Sequence, residues 1–215
     1  TTTIDDFASG TVAAALGGTT TVVDFALHTK GDSLANALKT WHGKAGGKAA
    51  IDYAFHLTIA DGRPETIAEI PTMIEREGVN SFKVFMAYKH VLQVDDETIF
   101  KVLKAAAKYG GLVQVHAENG DVIEVTVAEA LAAGKTEPKY HGITRPVELE
   151  AEATSRAIRL AEVAGAPLYV VHVSSAMAAD AISDGRKRGL HIYGETCPQY
   201  LVCDAADYDR PDFAG

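Results

Sequence analysis

Ser81-Phe82-Lys83-Val84-Phe85-Met86-Ala87-Tyr88 is an apolar, aromatic run with one lysine inside it. Two further stretches share its plan, Val113-Gln114-Val115-His116-Ala117-Glu118-Asn119-Gly120 and Val170-Val171-His172-Val173-Ser174-Ser175. Each is strand-like and ends near one metal-capable side chain. A lysine within an apolar strand is costly unless its charge is removed or used. Two histidines at the ends of two other strands give that lysine suitable company. The three stretches together imply a metal-dependent hydrolase site assembled from several parallel strands.

Working outward, the same rhythm recurs along the chain. A β-branched or aromatic run is followed by a loop, then an Ala-rich amphipathic stretch, then Gly. Strands are predicted at Thr19–Phe25, Ala49–Leu57, Ser81–Met86, Leu112–His116, Leu168–Val173 and His191–Thr196. They are short and rich in Val, Ile, Tyr and Phe, as buried parallel strands are. Helices are predicted between them. Asp95-Asp96-Glu97 leads into Ile99, Val102, Leu103 and Ala106, an apolar stripe at helical spacing closed by Gly110. Further helices are read over Asp121–Ala133, from Arg145-Pro146 to Ala164, over Ser175–Arg188, and over Phe7–Leu16 and Ser33–His42. Pro71 predicts a broken or two-part helix within Glu65–Glu77.

Alternating strands and helices specify a parallel sheet with right-handed crossovers. No GxGxxG or GxxxxGK[ST] follows a strand, which removes support for the usual nucleotide-binding sheets. Polar residues at the ends of at least three strands suit the C-terminal face of a (β/α)8 barrel. Six strands rather than eight are legible, so the expected architecture is an incomplete barrel of about six βα units. Residues 1–215 then form one domain, an internal portion of a catalytic TIM barrel.

Composition narrows the function. The 215 residues carry a formal net charge of −9, which argues against a nucleic-acid surface. No apolar run approaches the length of a membrane span. Cys197 and Cys203 form neither a CxxC pair nor a disulfide framework, which fits a reducing cytoplasm.

Each candidate residue has an ordinary reading beside the chemical one. Lys83 could snorkel to solvent; buried instead, it has a lowered pKa and a neutral amine able to react with carbon dioxide. The resulting carbamate is an anionic oxygen ligand that can bridge two metal ions. His116 and His172 are structural or, as neutral imidazoles, ligands for zinc and similar ions. Tyr88, in the loop beyond the lysine strand, is a loop aromatic or a hydrogen-bond donor to a developing oxyanion. His56 ends another strand and is set aside as a decoy. His28, His42, His90, His141 and His191 are read as surface or packing residues, and Cys197 as a structural thiol. Neither HExxH nor GxSxG is present.

With these residues in place, the sequence resembles the dihydropyrimidinase/hydantoinase family of cyclic amidohydrolases. The likeness is carried by residues 3–11 (TIDDFASGT), 17–20 (GGTT), 82–88 (FKVFMAY), 116–120 (HAENG), 172–175 (HVSS) and 194–201 (GETCPQYL), in that order and across the whole chain. The resemblance implies a TIM-barrel amidohydrolase with two divalent metal ions, usually zinc. It makes carbamylated Lys83 the bridging ligand, and His116 and His172 ligands of the second ion. Tyr88 then steadies the tetrahedral intermediate as a ring amide opens to an N-carbamoyl amino acid. The family's His-x-His pair is expected before Thr1 and its metal-binding Asp after Gly215, so these 215 residues alone are expected to show no turnover. Homotetramers are also implied, with a small cyclic ureide as substrate. Allantoinase and dihydroorotase share the lysine–histidine scheme, although Tyr88 in the Met-Ala-Tyr context favours hydantoinase or dihydropyrimidinase. A non-catalytic assembly protein resembling the collapsin response mediators is the alternative of another class, and Lys83, His116 and His172 argue against it.

Overall fold

A computed structural model describes residues 3–210. Six strands form one sheet in the order β1 to β6, every neighbouring pair parallel. They are β1 (Thr21–Ala26), β2 (Asp52–Thr58), β3 (Ser81–Phe85), β4 (Leu112–His116), β5 (Leu168–Val170) and β6 (Ile192–Gly194). Strands laid down in sequence order with helical crossovers make the staves of a barrel, here an incomplete (β/α)8 barrel of six strands.

The helices are α1 (Phe7–Leu16), α2 (Leu34–Ala45), α3 (Pro64–Glu75), α4 (Asp96–Lys108), α5 (Gly120–Ala132), α6 (Tyr140–Ile143), α7 (Val147–Ala164) and α8 (Ala176–Lys187). Their caps follow from sequence. Ser33, Asp95, Asn119 and Ser175 each accept a backbone N–H of the first turn. Gly165 closes α7 in the left-handed conformation at φ 63°. Successive helices α1 to α4, then α7 and α8, pack on one another outside the sheet.

Alternation along the strands sorts the side chains into two sets. Phe55, Leu57, Phe82, Val84, Val113, Val115, Leu168, Val170 and Ile192 face the helices and belong to one continuous core. Opposite them lie Phe25, His56, Lys83, Phe85, Gln114, His116 and Tyr169, with Lys83 directly beside Gln114, and Gln114 beside Tyr169, in the ladder.

Several predicted bounds shift, for identifiable reasons. Thr19 and Ala49 precede β1 and β2 because their N–H groups donate back to Ala14 and Ala45, closing α1 and α2. Pro71 does not break α3. Burial of Ile70 and Met73 on its inner side outweighs the missing hydrogen bond. β5 stops at Val170, because His172 takes φ 42° and turns the chain out of the ladder. His172 therefore lies beyond the strand end rather than at it. Helix α6 and two short 3-10 turns, Pro198–Leu201 and Ala205–Asp209, were not anticipated.

Candidate active site at the strand ends

The site grows from the C-terminal ends of β3, β4 and β5. The ends of β3 and β4 are stitched together by backbone: Met86 N–H donates to His116 O, and Gly120 N–H donates to Met86 O. The fit is close enough that a Cβ on Gly120 would stand 2.6 Å from Ala87 Cα. The loop after β4 is tied in turn to α7, Asn119 N–H donating to Leu149 O and Asn119 Nδ2 to Glu152. Glu150 at the start of α7 accepts from both the N–H and the hydroxyl of Ser174, which fixes the turn just past His172.

That scaffold brings two of the predicted residues into contact. His116 Nδ1 and His172 Nε2 are 2.9 Å apart. His116 Nε2 meets Glu118 at 2.7 Å. The contact of His116 Nε2 with Glu118 fixes the ring so that its Nδ1 is turned toward His172 Nε2. Burial, and then the neighbouring charges of His116 and Lys83, push His172 down to about 4, so it is neutral at pH 7. Burial pushes Glu118 up, but its His116 hydrogen bond and the charges of His116 and Arg145 outweigh this and hold the carboxylate ionised.

Lys83 is only 3% exposed. Burial lowers its pKa to about 8, against the pull of Glu195. At pH 7.5 a substantial fraction is therefore the free amine, the form that reacts with carbon dioxide. Its Nζ lies 4.8 Å from the Phe85 ring centroid, and that ring stacks on His116 with centroids 5.5 Å apart. Lys83 thus stands on the same face of the sheet as the histidine pair, with Phe85 beside both.

Tyr88 holds φ 66°, and its ring centroid is 4.9 Å from that of His116. Backbone strain of this kind, at Tyr88 and His172 alike, is concentrated at functional sites. Burial, then the negative charge of Glu118, raises the Tyr88 pKa, so the phenol keeps its proton and remains a donor.

Tyr88, His116 and His172 line a cavity of about 310 Å3, together with Glu118, His141 and Arg145. The last three are additions to the sequence reading. Glu118 was detectable, two residues after His116. His141 is not the surface or packing residue its sequence context suggests: α6 carries it to the cavity wall, where Arg145 donates to its backbone O at 3.2 Å. No local pattern announced that placement. His56 lies one layer below, with its Nδ1 2.8 Å from Gln114 Nε2 and 2.5 Å from Ser81 Oγ. Cys197 is half-buried.

Among the described residues no three His, Cys, Asp or Glu side chains gather as a metal cluster. The two imidazoles of His116 and His172 meet at the cavity, and Lys83, of lowered pKa, lies on the same sheet face but outside the cavity lining. That set fits divalent ions once the lysine is carbamylated, because the modification supplies the missing carboxylate. No helix among the described residues is long and apolar enough to cross a membrane.

No family model matches the chain. Individual relatives do. The sequence is 56% identical over 215 residues to a D-hydantoinase of Geobacillus stearothermophilus, covering 100% of this chain and 46% of that protein. The solved structure of a D-hydantoinase from Bacillus sp. AR9 superposes with a TM-score of 0.98 at 57% identity, over 100% of this chain and 47% of the other. A dihydropyrimidinase from Brevibacillus agri NCHU1002 gives a TM-score of 0.96 at 55% identity, over 98% and 46%. The chain spans about half the length of the curated relatives it matches. Along its whole length, in sequence and in fold, the chain is similar to D-hydantoinases and dihydropyrimidinases, matching just under half of each.

Proposed function

We propose that the protein hydrolyses a cyclic ureide, opening the ring amide of a hydantoin or a 5,6-dihydropyrimidine to give an N-carbamoyl amino acid. The described residues would be an internal portion of one catalytic domain. Two divalent metal ions, zinc by preference, would be held by carbamylated Lys83 as bridge and by His116 and His172. When bound, such ions lower the pKa of water and polarise the ring carbonyl.

The chain's own residues supply the rest. His172 is kept neutral by burial, so its lone pair is free for a ligand at pH 7. Glu118 accepts from His116 Nε2 and thereby fixes the ring that presents Nδ1. Tyr88 retains its proton and stands over the His116 ring, placed to donate to the oxygen that gains charge as the ring carbonyl becomes tetrahedral. Arg145 balances the Glu118 charge at the cavity wall. We further propose a cytoplasmic homotetramer, on the strength of the family likeness and of cysteine usage.

The observation that carries this reading is the pairing of His116 with His172 at 2.9 Å on the sheet face that also holds buried Lys83. The test is metal analysis and hydantoin hydrolysis by the full-length protein before and after chelation. Bound zinc and chelator-sensitive ring opening are expected; a metal-free protein that opens no cyclic ureide would overturn the proposal and favour an assembly role.

A further inference from the structure

Thr58 ends β2 and is 0% exposed, and its Oγ1 has no hydrogen-bond partner. An unpaired buried hydroxyl costs free energy and calls for an explanation. The ladder supplies one. Thr58 pairs directly with Lys83, and alternation from Leu57 places it on the face where His56 and Lys83 lie. Lys83 Nζ is 5.1 Å from the ring centroid of Phe25 on β1 and 4.8 Å from that of Phe85 on β3. β2 runs between β1 and β3, so the lysine side chain reaches over the face of β2 that carries His56 and Thr58.

We propose that Thr58 is a positioning residue whose hydroxyl donates a hydrogen bond to the carbamate of Lys83. The inference rests on the carbamylation put forward above. In that step the lysine lone pair forms an N–C bond to carbon dioxide, one C=O π pair becomes carboxylate charge, and the amine proton leaves to water: Lys–NH2 + CO2 → Lys–NH–COO⁻ + H⁺. A charged ammonium offers donors only and a neutral amine a single lone pair, and with the unmodified lysine the Thr58 hydroxyl has no partner. A carbamate brings two acceptor oxygens and lengthens the side chain toward its neighbours. The hydroxyl then favours the modified lysine over the free one, and the bond is charge-assisted.

The experiment uses the full-length protein, stripped with a chelator and reloaded with zinc across a series of ¹³C-bicarbonate concentrations. The carbamate carbon is followed by ¹³C NMR and its added mass by mass spectrometry. Thr58→Val keeps the shape and removes the hydroxyl. It is expected to need roughly tenfold more bicarbonate for half occupancy, with Thr58→Ser restoring the wild-type requirement. Thr58→Ala serves as the second hydroxyl-free variant should the Val form not fold. Equal bicarbonate requirements in the wild-type and hydroxyl-free proteins overturn the role of Thr58 and leave carbamylation standing. Absence of any labelled carbon on Lys83 in the wild-type protein overturns both.

Discussion

The two faces of the sheet are built from the same strands yet obey different rules. Phe82 and Val84 on β3 are both 0% exposed and pack beneath the helices. Lys83, between them, is almost as buried but points to the other side, toward Phe25 and Phe85. On the helix face, burial returns stability through apolar area removed from water. On the inner face, burial works against the charged form of each side chain and lowers the pKa of Lys83, His56 and His172. One face holds the barrel together, and the other shifts its bases toward their neutral form.

Substitutions on adjacent residues test that division. Lys83→Met in the full-length protein should lower kcat/KM by roughly a thousandfold or more, since in the proposed mechanism its carbamate bridges the two ions, with unchanged or raised thermal stability. A Met variant that unfolds would break the comparison. Phe82→Ala should do the reverse, costing about 3–5 kcal/mol in a urea titration while the protein that remains folded keeps its kcat. Glu118→Gln leaves His116 without its carboxylate, and should weaken metal affinity roughly 10–100-fold in a competition with a chromogenic chelator, with little change in Tm of the metal-free protein.

The smallest effect is a pH dependence. Folded Lys83 loses its proton near pH 8, against an ordinary value of 10.5. Below about 8 both folded and unfolded chains carry the proton, and the folded state bears the full penalty. Between about 8 and 10.5 the unfolded chain holds a proton the folded chain has released, so stability rises with pH in that window. Chemical denaturation of the metal-stripped protein should show this slope, and Lys83→Met should flatten it. Equal slopes in the two proteins would place the Lys83 amine in water.

Much of this was legible in the sequence wherever one local rule governs. α1 was read as Phe7–Leu16 and β4 as Leu112–His116, and both stand with those bounds. The Asp6 cap and the closing Gly17 decide α1 locally, and the β-branched Val113 and Val115 decide β4. Bounds slipped at Thr19 and Ala49, whose N–H groups close the preceding helix by local backbone bonds to Ala14 and Ala45 instead of joining the ladder. In the site, Lys83, His116 and His172 stood out because a titratable group ending an apolar run is anomalous. His141 and Arg145 are polar residues in a polar segment, and only the path of α6 and α7 brings them to the cavity. Thr58 was silent for a different reason. A threonine in a strand is ordinary, and only the missing partner of its hydroxyl makes it informative.

The close approach at Gly120 has a consequence for how such a pocket can change. Its backbone is sewn to that of Met86, and the spacing leaves no room for any side chain. The segments bearing Tyr88 and Glu118 therefore shift as a single piece or stay put. New ligand preferences of this cavity would have to arise by exchanging wall side chains such as His141, while the frame that sets Tyr88 against His116 stays intact.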